Sequence, residues 1–394
     1  MLSNNLMHDK RQEKINANLN NNKTPRILQL GKFYPPHLGG IERVMEDICD
    51  GINAKGLVCD CLVSNKELKY KEDITPYGAK IFRVASFGIL ASTSLAPQMI
   101  IKLFKIIKNY DVIHVHHPDP MATLALFLVP LKNKIIITHY HSDIFKNKWL
   151  LKCFMPLQNY LLKRSQSIVT TSDLYAKTSL FLKPYQEKIT TIPIGIPPID
   201  MKQNTEKTQN IICSVGRLVP LKGFEYLIES ALFLPNDFSI HIAGDGDIGY
   251  KNKLLALIKK HCLEDRVFLV GRKVGEELNS FYAKSRYFVL PSMQESFGIV
   301  LLEAMRYSIP CVCTNLTPSG MPYINLHNQT GKVVEKANSK AIAKAILEIQ
   351  ETYEFYANNA KKRFLEHFTQ QKMIESFNAL YKEQYECQKK AGKN

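Results

Sequence analysis

No stretch of the 394-residue chain approaches the ~20 consecutive apolar residues that a membrane-spanning helix requires, and the best, MATLALFLVPL, is far too short. No C-x-x-C occurs among the nine cysteines, and the two C-x-C pairs (59/61 and 311/313) sit in apolar, strand-like runs. That disfavours a cysteine-based metal site and fits reduced, buried thiols in a cytosolic protein. No aromatic-interleaved basic cluster or nucleic-acid motif appears, so nucleic acid is not the expected partner even at a net charge of +16. The opening MLSNNLMHDKRQEKINANLNNNKT lacks the apolar core of a signal peptide and reads as a loose polar tail over residues 1–24.

What is present supports real cores: 45% of residues are hydrophobic and 10% aromatic, in a chain long enough for two ordinary domains. The charge is uneven, with 26 Lys/Arg against 15 Asp/Glu over residues 1–190 (+11) and 26 against 21 over 191–394 (+5). Such an excess suits an anionic membrane surface or phosphorylated substrates.

RILQLG (26–31) ends at glycine before a loop with two prolines, and GGIERVMEDICDGINAKG reads as a helix stopped by Gly56. Strand-like CDCLVS, KIFRVA, DVIHVHH, KIIITHYH and SIVTTS follow, with helical stretches between several of them. This alternation predicts a parallel sheet with helices on both faces. The pattern pauses at TTIPIGIPPIDMKQNTEKTQN (190–210), read as a linker, and restarts with IICSVGR, FSIHIAG, RVFLVG, YFVLPS and IPCVCT. The expected layout is the tail, a first domain (25–192), a linker (193–210), a second domain (211–365) and a C-terminal helix (366–394) packing back toward the first domain. Sites in such sheets gather at the carboxyl ends of the strands, and the cleft between two domains is the expected location.

Within VLPSMQESFGIVLLEAM (289–305) the only charges are Glu295 and Glu303. An unpaired buried carboxylate is costly, so each needs solvent, a cation or hydrogen-bond donors. Strand–turn–helix junctions with glycine offer backbone N–H groups to phosphate, and three occur here: Gly39 and Gly40 in GKFYPPHLGGIER, Gly216 to Gly223 in SVGRLVPLKGFEYL, and Ser296, Phe297 and Gly298 in the stretch itself. Arg217 and Lys222, five residues apart in one loop, can clamp a diphosphate. Glu295 belongs to the loop after its strand, and Glu303 is expected about two turns into the next helix.

Taken together the motifs resemble glycosyltransferase family 4, retaining enzymes of the GT-B fold. The resemblance rests on SVGRLVPLKGFEYLIESA, IAGDG, LVGRKVGEELNSFYAKS and PSMQESFGIVLLEAM in the second half and on GKFYPPHLGGIER, HVHHPDP, THYHSDI and IPIGIP in the first, spanning about residues 26–370. It implies an α/β protein with two doubly wound, Rossmann-like parallel-sheet domains facing each other across a cleft. It implies a nucleotide-diphosphate sugar as substrate and no metal or other cofactor, because cationic side chains and helix termini stabilise the leaving diphosphate. Gly39 and Gly40 would approach that diphosphate, Arg217 and Lys222 neutralise it, Glu303 bind the ribose and Glu295 the sugar hydroxyls, with His141 near the reacting face. Gly216, Val274, Ser296, Phe297, Gly298, Ile299 and Val300 would line the donor. HHPDP, HSDI and SGMPYINLHNQTG resemble mannosyltransferase-like members of bacterial surface-polysaccharide assembly, implying GDP-mannose, with a UDP-sugar as the open alternative. Beside the resemblance, His117, Asp119 and Asp143 are read as candidates to meet the acceptor, and the +11 on the first half favours a lipid-linked glycan acceptor at the cytoplasmic face of an anionic membrane.

Competing readings attach to several of these residues. His114, His116, His117, His139 and His141 invite a zinc site, but no cysteine or carboxylate at ligand spacing completes one. Asp245-Gly246-Asp247 is literally D-x-D, a metal-binding signature of another glycosyltransferase class, but its place after FSIHIAG reads as a structural turn. Ser308 stands where the family usually has glycine. The helices 97–108, with Lys102, Lys105 and Lys108, and 145–164, with Trp149, are basic and amphipathic and can meet lipid or simply cover the core. A non-catalytic sugar-nucleotide binder is the rival from another functional class.

Overall fold

A strand covered on both faces has no place for an exposed side chain, and Val58–Ser64, Val112–His117 and Ile135–Tyr140 are buried along their whole length. The computed structural model describes residues 24–37, 39–90, 93–144, 148–199 and 209–391. Nearly all of the expected tail lies outside them. The chain divides into two units: the first takes the residues up to Thr171, Leu180–Ile192 and those from Gln371 onward, and the second takes Ser172–Ser179 and Pro193–Gln370.

The first unit is built on β1 (Arg26–Gly31), β2 (Val58–Ser64), β3 (Lys71–Ile74), β4 (Lys80–Val84), β7 (Val112–His117), β8 (Ile135–Tyr140), β9 (Ser167–Thr170) and β10 (Ile189–Thr191), with a small separate hairpin of β5 (Ile89–Leu90) and β6 (Thr93–Ser94). Its sheet order is β10-β9-β8-β7-β1-β2-β4-β3, parallel except for the edge strand β3, which runs antiparallel to β4. Leu28, Leu30, Leu62, Ile113, Val115 and Ile136 pack one face against Met99, Leu103, Ala122 and Leu126 from the Gln98–Ile106 and Pro120–Leu128 helices. The Gln370–Ala391 helix carries Tyr381 and Phe377 into this unit, where the Tyr381 hydroxyl meets His114 Nδ1 at 2.6 Å.

The second unit holds β11 (Asn210–Val215), β12 (Phe238–Ala243), β13 (Val267–Gly271), β14 (Tyr287–Leu290), β15 (Cys311–Thr314) and β16 (Gly331–Val334), all parallel in the order β13-β12-β11-β14-β15-β16. The strand order reverses between β11 and β14, which creates a crevice at their carboxyl ends. In the first unit the same reversal falls between β1 and β7.

Three expectations need correction. The 190–210 segment is not a free linker over its described length: Thr190 and Thr191 belong to β10, and Ile192, Ile194 and Ile196 are buried. Ile196 also exchanges backbone hydrogen bonds with Phe368 and Gln370, at 3.0 and 2.9 Å. The Asp173–Thr178 helix, expected inside the first domain, belongs to the second unit. Finally, Glu303 lies just over one turn into its helix, because Ile299–Met305 begins later than the sequence suggests.

Candidate active site

In the second unit the loops after β11 and β14 leave adjacent central strands and are tied together. Met293 N–H and Gln294 N–H donate to Leu221 O at 2.9 and 3.3 Å. Gly223 closes the turn with φ +63°, and a Cβ there would sit 2.3 Å from Pro291 O, so only glycine lets the two loops touch. The consequence is that Lys222 Nζ reaches Glu295 Oε2 at 2.6 Å, in a pair whose side chains are 18% and 20% exposed. Glu295 Oε1 also accepts from Ser296 N–H at 3.2 Å. Arg217 is exposed, and no carboxylate among the described residues pairs with it. A third loop joins these two: Leu218 N–H donates to Asp245 O at 3.0 Å and Asp247 N–H to Leu218 O at 2.9 Å. Asp247 then caps the Ile248–Lys260 helix by accepting from Tyr250 N–H at 2.7 Å, which gives the D-x-D segment a structural task.

Gly298, at φ +91°, turns the chain into the Ile299–Met305 helix. Glu303 on that helix is largely buried, and its Oε2 accepts from the Tyr282 hydroxyl at 2.7 Å. Burial pushes its carboxyl upward, opposed by the Tyr282 bond and by Arg306. Tyr282 lies on a different helix, Gly275–Lys284, so no spacing rule could have linked it to Glu303. Val274, just before that helix, is 58% exposed and open to a ligand. Ile299 and Val300 are half-buried, whereas Phe297 is buried against Phe368 and can offer a ligand only its backbone.

The first unit presents a different set. Gly39 and Gly40 are exposed at the start of the Gly40–Ala54 helix. His141 is buried, and its Nε2 lies 2.9 Å from His116 Nδ1, while His116 Nε2 lies 2.7 Å from Gln29 Oε1. The Gln29 amide is oriented because its Nε2 donates to Met45 O at 3.2 Å. An oxygen faces His116, so His116 carries its proton on Nε2, its Nδ1 accepts, and His141 donates from Nε2. That assigns His141 Nδ1 as an acceptor. Burial, with a smaller contribution from His117, pushes His141 down to about 3, and the other four histidines of β7 and β8 are lowered for the same main reason.

The ring nitrogens of His114, His116 and His139 lie within 4.8 Å of one another, the one group among the described residues spaced to hold a metal ion. The His114 and His116 rings stack at 4.5 Å and both His116 nitrogens are hydrogen-bonded, so their lone pairs do not converge without rearrangement. The two residues read as meeting an acceptor, His117 and Asp119, are both buried. His117 is fully enclosed, and Asp119 caps the Pro120–Leu128 helix through Met121 and Ala122 N–H at 3.0 and 3.2 Å. Asp143 is also buried and accepts from Tyr140 OH at 3.0 Å.

Residues 196–363 match the family described as Glycosyl transferases group 1, and residues 38–199 match Glycosyltransferase Family 4. The chain belongs to the GT-B glycosyltransferases. This glycosyltransferase is 29% identical to O-antigen chain mannosyltransferase C of Escherichia coli, over 90% of its own length and 98% of the relative's. It is also 29% identical to D-rhamnosyltransferase WbpZ of Pseudomonas aeruginosa, over 87% and 92%. In fold, the sucrose-phosphate synthase of Thermosynechococcus elongatus superposes with a TM-score of 0.75 at 18% identity, over 92% of this chain and all of that one.

Proposed function

We propose that the chain is a retaining, metal-independent hexosyltransferase that moves mannose from GDP-mannose to a lipid-linked glycan in surface-polysaccharide assembly, at the cytoplasmic face of a membrane. The observation that carries the reading is the Lys222–Glu295 pair, held at 2.6 Å by two loops at the strand-order reversal. A partly exposed pair of this kind is worth about 0–1 kcal/mol, so an arriving donor separates it at little cost. Lys222, with Arg217, then takes the diphosphate, and Glu295 takes sugar hydroxyls. Glu303, steadied by Tyr282, accepts from the ribose. As the glycosidic bond breaks, the cations hold the developing charge on the leaving diphosphate, a role that otherwise falls to a metal. The leaving phosphate oxygen removes the acceptor proton on the same face of the sugar, with no protein nucleophile. The mannosyltransferase relative supports the choice of sugar.

A thermal-shift panel of GDP-, UDP- and ADP-sugars tests the donor. A true donor at 100 times its Kd stabilises the protein by about 2.7 kcal/mol, and GDP-mannose is expected to stand apart. A UDP-sugar standing apart instead replaces the donor and keeps the mechanism. Transfer is expected to persist in excess EDTA, and loss restored by manganese overturns metal independence.

A further inference from the structure

The Gln98–Ile106 helix and the small hairpin leave apolar side chains in water that the core does not use. Phe87 is 70% exposed, Ile89 54% and Leu90 62%, all along the hairpin arm, and Leu95 beside them is 41% exposed. The arm is held in shape, with Phe87 N–H donating to Leu95 O and Leu95 N–H to Gly88 O, both at 2.9 Å, and Ser94 Oγ donating to Ser86 Oγ at 2.8 Å. It runs straight into the helix, where Ile101 and Phe104 are 59% and 61% exposed. The Pro120–Leu128 helix packs against both and adds exposed Phe127 and Leu128. Exposed apolar side chains gathered on adjoining elements of a folded protein mark an interaction site.

The charge around it is mainly positive, with two exposed carboxylates at its edge: Glu67, whose carbonyl accepts from Ser86 N–H, and Glu72, whose Oε2 lies 4.0 Å from Lys102 Nζ. Residues 74–172 contain twelve Lys/Arg and three Asp. None of the three is exposed: Asp111 accepts from Arg26 N–H at 2.9 Å, and Asp119 and Asp143 are buried. Exposed cations lie on the same and adjoining elements: Lys105 on the helix, Lys108 just after it, Lys132 beyond Leu128, and Lys152 and Lys163 on the neighbouring Lys148–Arg164 helix. Lys102 does not join them, because its Nζ is held at the surface by Tyr70 OH at 2.7 Å and lies 4.0 Å from Glu72 Oε2. The expected three-lysine stripe is therefore a pair.

We propose that the arm residues 87–90 and 93–95, together with the Gln98–Ile106 helix, form a wedge that inserts into an anionic lipid bilayer, with Phe87, Leu90, Ile101 and Phe104 entering the acyl boundary and the lysines resting on the headgroups. Apolar insertion and cationic attraction are the two signals that together give stable binding at an interface. A second copy of the chain is disfavoured because it would bring the same cations to face each other. Among the described residues no helix is long and apolar enough to cross a membrane, so this is attachment at a surface. The inference rests on the proposed lipid-linked acceptor and names where the membrane meets the protein.

The test is co-sedimentation of the full chain with vesicles, without donor or acceptor, so its failure is separate from failure of the transferase reading. Vesicles of phosphatidylcholine with about 30% phosphatidylglycerol are expected to pellet the protein, and pure phosphatidylcholine vesicles are not. The double variant Phe87→Ser/Leu90→Ser is expected to reduce the bound fraction about tenfold with an unchanged melting curve. Lys105→Glu/Lys108→Glu is expected to abolish binding by the charge route alone. Wild-type protein left in the supernatant, equal pelleting with neutral vesicles, or variants that bind like wild type overturn the proposal. So does a wild-type dimer in light scattering that these substitutions dissolve, since the surface would then belong to a second copy.

Discussion

In the second unit Lys222 and Glu295 meet as a partly exposed ion pair at the mouth of a crevice, whereas in the first unit four histidines on two strands, with His141 just after the second, are kept neutral by burial. Both arrangements concentrate titratable groups at the carboxyl ends of central parallel strands. They differ in what surrounds the groups. Loops ending at Gly223 and Gly298 leave the pair in contact with water, but β7 and β8 are covered on both faces. A site that must take up a charged diphosphate keeps its ions accessible. A site that must hold one hydrogen-bond direction, as the Gln29–His116–His141 chain does, gains from excluding protons.

The largest expected effect strikes the ion pair. Glu295→Ala and Lys222→Ala are each expected to lower turnover by about 10²–10³-fold, the scale of removing one charge-stabilising group. Circular dichroism and melting should stay close to wild type, and normal turnover in both variants removes these residues from the mechanism.

Acid is expected to act on the other side of the comparison. The folded histidines titrate below the ordinary value of 6.5, His114, His117 and His141 at about 3. As pH falls through 6.5 the unfolded chain gains protons that the folded chain does not take up, so stability present above that pH is lost between about 6.5 and 3. Each histidine contributes up to about 1.4 kcal/mol per pH unit. Urea midpoints measured stepwise from pH 7.5 to 5 should fall steeply. A flat series would mean that the histidines are not held neutral.

Smaller effects sharpen the contrast within the second unit. Glu303→Gln keeps an acceptor for Tyr282 but loses the charge, and calorimetry is expected to show donor binding weakened about tenfold, the size of one charge-assisted hydrogen bond. Ser308, with φ +55°, occupies the left-handed region at the end of the Glu303 helix. Ser308→Gly is expected to raise stability by about 1 kcal/mol and leave turnover unchanged, read as a higher Tm.

Much of the fold was legible because parallel strands announce themselves as short, mostly apolar runs: RILQLG, CDCLVS and YFVLPS needed no tertiary information. The short edge pieces were not. Lys71–Ile74 is polar and exposed, and Gly331–Val334 is only four residues long, so neither shows a period. In the site, Lys222 and Glu295 could be named from motif spacing, but their contact depends on Gly223 fitting against Pro291, which no local pattern reveals. Gln29 and Tyr282 were invisible for the same reason: each acts on a partner from a different element. The placement of His117 and Asp119 was hidden because HHPDP looks like a polar loop, whereas His117 closes a buried strand and Asp119 starts a helix.

The Tyr381 hydroxyl on His114 has a consequence for how the chain assembles during synthesis. Residues 371–391 belong to the first unit, yet they leave the ribosome only after the entire second unit has been made. Until then β7 waits with the flank that Phe377 and Tyr381 will cover open to solvent. The half of the molecule that is translated first is therefore the half that is finished last, and its nascent sheet is the surface a chaperone would be asked to guard.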